Sequence, residues 1–297
     1  MPGQPSVLVT LAGDVRDPDQ PMLFADDLAA VRGDGVFETL LVRAGRACLI
    51  DAHLRRMVRS AEMLDLPAPD LSGWRRAIEI AVSQWNAQTA AEGALRLVYS
   101  RGRESGPATA HDPPTAYLMI NPLADRVAAV RRDGVAALLL GRGLPVAGIA
   151  DLPWLLAGAK TLSYAVNMAA VRHGAARGAD DVIFVSSDGY ILEGPRSTVV
   201  IVTEEAGRPR LLSPPLSHPI LCGTTQQALF DVATARGYDC AYQGLRPADL
   251  DAARGIWLVS SITLAARVHT LDGRRLGSAP DVPDIAALID AAIISDR

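Results

Sequence analysis

Cysteine is scarce in this chain: Cys48, Cys222 and Cys240 are the only three in 297 residues. An odd number at such separations builds no disulfide framework, and none of them lies in the close Cys/His spacing of a zinc site. That usage fits a reduced, cytoplasmic protein without a metal. Basic excess is lacking too. Lys plus Arg number 29 against 33 Asp plus Glu, a formal net charge of −4, so nothing in the balance favours the phosphates of a nucleic acid. No apolar run reaches the roughly 18 residues of a membrane-spanning helix. The opening stretch MPGQPSVLVTLAGDV has neither a basic leader nor a long apolar core, which reads as a soluble, unprocessed protein with no membrane partner. Internal repeats, heptads and low-complexity tracts are also missing, which excludes solenoids and coiled coils.

What is present is ordinary globular material. Apolar residues make up 49% and charged residues 21%, and the length suits two domains. The run VFETLLVRAGRACLI alternates about Ala44-Gly45 as a hairpin does. After it, Leu54, Met57, Val58, Ala61 and Leu64 recur at helical spacing until Pro67. A second helix fits WRRAIEIAVSQWNA, and strands fit ALRLVYSRG and TAYLMINPL. Residues 1–122 are therefore expected to form a smaller N-terminal α/β domain, followed by a linker over 123–133. Over 134–297 short apolar strands dominate (VAALLLGRG, DDVIFVSSDG, TVVIVT, IWLVSS), with helices expected from Tyr164 to Arg177 and from Cys222-Gly223-Thr224-Thr225 to Gly237.

Three features carry chemistry. Lys160 stands between LLAGA and TLSY; a lysine in a partly dry pocket loses charge readily and then serves as Schiff-base former or proton shuttle, whereas the bland alternative is a surface lysine at a helix start. Glu193 follows the turn Ser187-Asp188-Gly189-Tyr190, with Ser197-Thr198 opening the next strand. It suits a carboxylate set against a pyridine nitrogen, since the protonated ring is the better electron sink; the alternative is an edge-strand carboxylate in water. Arg56 and the helix start at Gly223-Thr224-Thr225 are candidate phosphate ligands, through a guanidinium fork and helix N-terminal amides. Each also has a plain reading, a solvated face of Arg55, Arg56 and Arg59 or a simple N-cap.

Taken together these segments resemble the class IV (fold type IV) pyridoxal 5'-phosphate (PLP) enzymes. GDGVFETLLVRAGRACLIDAHLRRM resembles that family's N-terminal signature, KTLSYAVNMAAVRHGAARGADDVIFVSSDGYILEGPRSTVVIV its central one, and PILCGTTQQALFD its phosphate-cradling helix start. The resemblance implies the two-domain α+β / α/β fold of D-amino-acid aminotransferases, with a larger, barrel-like mixed-sheet C-terminal domain that binds PLP. It implies Lys160 as the catalytic Schiff-base residue. Arg56, Glu193, Ser197, Thr198, Gly223, Thr224 and Thr225 become cofactor ligands, and Phe37 joins the substrate pocket. It further implies a homodimer acting on a small amino substrate. Two departures stand out: Thr198 replaces a common asparagine, and Tyr164 follows the lysine by four residues where branched-chain aminotransferases have a tyrosine at five.

The reaction is read from the substrate segments. VYSRGRESGP, Val98 to Pro107, and WLVSSITLAARV resemble the lyase versions of these segments. Ser260-Ser261-Ile262 stands where branched-chain enzymes have Gly-Thr-Ala, and no Arg-x-His pair follows Arg103. Arg101 and Arg103 are candidate partners for substrate carboxylates, or else solvated loop residues. The expectation is 4-amino-4-deoxychorismate lyase, releasing pyruvate to form 4-aminobenzoate in folate biosynthesis. The alternatives are an aminotransferase for D- or branched-chain amino acids and, remotely, a non-catalytic PLP-binding homologue.

Overall fold

The computed structural model describes residues 5–104, 114–277 and 282–294. The chain forms two compact units, Met1–Ala124 with Ala159–Tyr164, and Asp125–Gly158 with Ala165–Arg297.

The first unit contains β1 (Val7–Thr10), β2 (Val15–Arg16), α1 (Leu28–Val31), β3 (Gly35–Arg43), β4 (Arg46–Ala47), α2 (Ile50–Met63), α3 (Leu71–Gln88), β5 (Gly93–Ser100) and β6 (Thr115–Pro122). Its strands make one antiparallel sheet in the order β2-β1-β6-β5-β3-β4. Val36, Leu40 and Val42 alternate along the buried face of β3, and Leu54, Met57 and Ala61 recur on the buried stripe of α2. These are the two periodicities that pack a helix on a sheet. Trp74 and Trp85 of α3 are fully buried in the same unit, each contributing on the order of 1.5–3 kcal/mol of apolar burial. At its start α3 is capped by Asp70, whose Oδ1 accepts from the Ser72 amide at 3.1 Å.

Residues 159–164 belong with this unit rather than with the sequence that surrounds them, a difference from a domain running unbroken over 134–297. The reason is backbone pairing. The Phe37 amide donates to the Lys160 carbonyl at 3.0 Å, Leu162 N donates to the Gly35 carbonyl at 2.8 Å, and Val36 and Thr161 form an antiparallel bridge.

The second unit contains α4 (Arg126–Asp133), β7 (Val135–Gly141), α5 (Ala165–Ala175), β8 (Asp181–Val185), β9 (Glu193–Gly194), β10 (Ser197–Glu205), β11 (Arg208–Ser213), α6 (Thr224–Ala235), β12 (Asp239–Tyr242), α7 (Pro247–Ala252), β13 (Gly255–Ser260), β14 (Leu264–Leu271), β15 (Arg274–Arg275) and α8 (Ile285–Ile294). A mixed sheet runs β12-β11-β10-β13-β14-β7-β8, with β9 on β10 and β15 on β14. Val199, Val200, Ile201 and Val202 of β10 are all fully buried, which explains a continuous apolar run in place of alternation: both faces of this strand are covered. The stretch expected as a linker is largely α4, which anchors itself through buried Val127 and Val130.

Candidate active site

In the first unit the site is built from α2, β3 and the returning segment around Lys160. The buried face of α2 is not purely apolar, because His53, Arg56 and Ser60 lie on it beside Leu54, Met57 and Ala61. Arg55 and Arg59 are exposed, so the three arginines do not share one solvated face. Arg56 instead meets Glu38, the charged residue on the buried face of β3. Its Nε donates to Oε1 at 2.7 Å and its Nη2 to Oε2 at 2.6 Å, and His53 Nδ1 lies 2.7 Å from Oε2. Burial pushes the Glu38 carboxyl upward, but the Arg56 guanidinium and His53 outweigh it and hold the group ionised, well below the usual carboxylate range. For His53 burial dominates over the Glu38 charge, and with Arg56 and Lys160 adding repulsion its pKa falls below the ordinary 6.5.

Lys160 is half-buried. Its amide donates to Ser60 Oγ at 3.1 Å, which fixes the segment on α2. Its Nζ lies 4.3 Å from the centre of the Phe37 ring and 5.6 Å from that of Tyr164, and the two rings meet edge to face at 5.2 Å. Two aromatic rings thus flank the amine, each offering a face that attracts a cation.

In the second unit, Asp188 locks the turn that leads to Glu193. Its carboxyl, held down to about 2 by the Ser186 hydroxyl and the Val146 and Ala147 amides, pins the loop before the strand. Glu193 then lies opposite Thr198 in the β9–β10 pair, on the same side of the ladder, and accepts from the Leu221 amide at 3.0 Å. The structure does not bring Ser197 to this group: it pairs with Gly194 and so points to the opposite face, where its Oγ is buried without a hydrogen-bond partner among the described residues. Gly223 is the N-cap of α6 and supplies no side-chain cap. A Cβ there would stand 2.2 Å from Thr198 Oγ1, so glycine is what lets the helix start close onto β10. Thr224 and Thr225 are buried in the first turn, and Thr225 Oγ1 donates to Ser261 Oγ at 3.4 Å. The β13–β14 turn is further held by Ser260 Oγ, which accepts from Thr263 N at 3.1 Å, and by Arg131 Nε, which donates to the Ile262 carbonyl at 3.1 Å. Within the second unit, hydroxyls around a helix N-terminus and a half-buried carboxylate have the chemistry to meet a phosphate and a pyridine nitrogen; within the first, an arginine fork and a lysine flanked by aromatic rings have the chemistry to meet a phosphate and an aldehyde.

The two arginines expected at substrate are already engaged. Arg101 Nε donates to Asp34 at 2.7 Å, and its fork also reaches the Leu64 and Asp65 carbonyls at 2.6 and 3.2 Å. Arg103 is paired with Asp26 at 2.9 Å and lies 4.3 Å over the Phe24 ring. Residues 105–107, the end of the same loop segment, lie outside the described residues. Arg96 was not foreseen. It is exposed on β5, opposite Thr39, and its Cζ lies 5.8 Å from the Phe37 ring that also receives Lys160. Glu38, His53 and Ser60 were likewise missed as site residues. One signal in the sequence pointed to the site more directly than any motif: of the 29 basic residues, 28 are arginine and Lys160 is the only lysine.

Comparison with known proteins agrees with this geometry. The model of the family described as amino-transferase class IV matches residues 35–271. A bifunctional aminodeoxychorismate lyase / D-amino acid transaminase of Mycobacterium tuberculosis is 64% identical over 294 residues, 98% of this chain and 100% of the relative. The PLP-bound form of a hypothetical aminotransferase from Mycobacterium tuberculosis superposes with a TM-score of 0.93 at 64% identity, over 98% of this chain and all of that one. The 4-amino-4-deoxychorismate lyase of Pseudomonas aeruginosa, 21% identical and covering 93% of this chain and 96% of its own, shares the fold with a TM-score of 0.71. The match over most of its length, a range that includes Lys160, Glu193 and Gly223, means that this chain belongs to the class IV aminotransferase family, with its fold type IV architecture.

Proposed function

We propose that this chain is a PLP-dependent enzyme that converts 4-amino-4-deoxychorismate to 4-aminobenzoate and pyruvate, a step of folate biosynthesis, and that it also transaminates D-amino acids. The observation that carries the reading is full-length 64% identity to a relative bearing both activities, joined to a sole lysine held against Phe37 and Tyr164. PLP, when bound, supplies an electron sink for charge released at the substrate carbon that bears nitrogen. Lys160 would hold it through its Nζ, and that amine, once displaced by the substrate, would serve as general base at that carbon. Glu193 keeps the ring nitrogen protonated, its carboxylate oriented by the Leu221 amide. Arg56, Thr198 and the α6 start at Gly223-Thr224-Thr225 hold the phosphate. Phe37 and the Ser260-Ser261-Ile262 turn shape the substrate pocket. Arg96 is the better placed cation for a substrate carboxylate, since Arg101 and Arg103 would each have to leave a charge-assisted pair to bind one.

The two activities differ in where the proton goes. In transamination Lys160 Nζ would return the proton so that the amino group stays behind; in the lyase reaction the ring would lose its proton and the enolpyruvyl group would depart, taking up a proton to become pyruvate and leaving aromatic 4-aminobenzoate. Three free cysteines suit a cytoplasmic protein, and the homodimer is what the family resemblance implies. The test is to incubate the PLP-loaded enzyme with 4-amino-4-deoxychorismate, and separately with D- and L-amino acids plus 2-oxoglutarate, beside Lys160→Ala as control. Equimolar 4-aminobenzoate and pyruvate, with oxo-acid formation from D-amino acids, is expected. Turnover confined to branched-chain L-amino acids would contradict the reading.

A further inference from the structure

Glu38 takes no part in the chemistry proposed above, yet it is fully buried, as is His53 beside it, and the Arg56 side chain is only 6% exposed. A buried ion pair of this kind is costly to desolvate, and replacing both partners with apolar side chains is often neutral or stabilising. Folding alone is therefore a weak reason for a carboxylate on the apolar face of β3. The geometry suggests a stronger one. Arg56 is gripped side-on, through Nε and Nη2 together, on the two oxygens of one carboxylate. Such a fork fixes the plane of the guanidinium as a single bond would not. His53 Nδ1 on Oε2 then keeps the carboxylate from turning. All three side chains come from β3 and α2, the elements against which the Lys160 segment pairs through Phe37 N and Ser60 Oγ.

We propose that Glu38 is a positioning residue: by fixing the guanidinium plane of Arg56 it sets the direction in which that arginine addresses the cofactor phosphate, and so confers the preference for phosphorylated over unphosphorylated pyridoxal. The inference rests on the reading of Arg56 as a phosphate ligand, and the experiment separates the two. Apo full-length protein is titrated with PLP and, separately, with pyridoxal, which lacks the phosphate, following binding by absorbance and protein fluorescence. The quantity read is the ratio of the two dissociation constants. Glu38→Gln, which keeps shape but loses charge, should lower PLP affinity about tenfold or more, the usual scale for a charge-assisted contact, while pyridoxal affinity stays within about twofold. Glu38→Asp keeps the charge but shortens the reach, and provides a folded variant in which the ratio should fall by a smaller factor. In an Arg56→Ala background Glu38→Gln should change the ratio no further. Equal losses for both ligands, or an unchanged ratio in both Glu38 variants, would overturn the positioning role. If Arg56→Ala itself leaves the ratio unchanged, the phosphate reading falls and the proposal falls with it. A ratio that collapses in Arg56→Ala but survives in the Glu38 variants removes only the proposal.

Discussion

His53 and Glu38 make the interior of the first unit sensitive to acid, and the sign follows from their pKa shifts. Both groups bind protons less readily in the folded chain than in the unfolded one. For His53 the unfolded chain begins to take up a proton as pH falls through about the ordinary 6.5, while burial and the neighbouring Arg56 and Lys160 keep the folded ring neutral. Stability is thus lost as pH drops below that value, by up to about 1.4 kcal/mol per pH unit for one proton. Glu38 adds to the loss below its ordinary 4.5. His53→Asn offers an amide donor to Glu38 without titrating, so its melting temperature should change less between pH 6.5 and 4.5 than that of the parent chain. Parallel curves would mean His53 does not carry the acid sensitivity. At this scale the sequence was legible where a residue type has one strong use, as for Lys160 and Gly223. It was illegible where a polar residue serves another: Glu38 reads as a strand residue, and nothing in the spacing of His53 and Arg56 says that both turn inward to meet it.

Among the elements, α6 shows how a local rule positions a site. Its N-cap is Gly223, and the space a side chain would need is filled by Thr198, with Oγ1 2.2 Å and Cβ 3.2 Å from an ideal Cβ. Gly223→Ala should push the helix start away from β10 and lower PLP affinity at least several-fold, while the melting temperature of the apo chain changes by only a few degrees. Unchanged affinity in titrations of that variant would remove the α6 start from the phosphate site. The hairpin of β3 and β4, the helices α2, α3, α5 and α6, and the strands β7, β8, β10 and β13 were all readable, because each carries a period or a clear stop. Others were not. β12 is a four-residue edge strand without a buried residue, and α8 is so apolar throughout that IAALIDAAII has little polar face to betray its period, although Ile285, Leu288, Ile289, Ala292 and Ile293 do recur as one buried stripe. The pairing of residues 159–164 with β3 depends on contacts between distant parts of the chain, which periodicity does not encode.

For the whole molecule, the two faces of the six-stranded sheet have different uses. Glu38 points to α2, so Phe37 and Thr39 point away. They lie in line with exposed Arg96 and half-exposed Tyr117 and Met119 across β5 and β6. This is therefore the face on which the proposed substrate pocket lies, with Lys160 Nζ 4.3 Å from the Phe37 ring centre. For the proposed homodimer, sedimentation should give twice the chain mass of 31.4 kDa; a monomer at micromolar concentration would contradict it. The proposed chemistry runs through Lys160, and the composition allows a simple test of it. With a single lysine in 297 residues, borohydride reduction of the PLP-loaded enzyme followed by peptide mapping has one ε-amine to find. One pyridoxyl label per chain is expected, on the peptide that contains Lys160, with none in Lys160→Ala. A label on the N-terminal amine, or tightly bound cofactor that reduction fails to attach to Lys160, would contradict it.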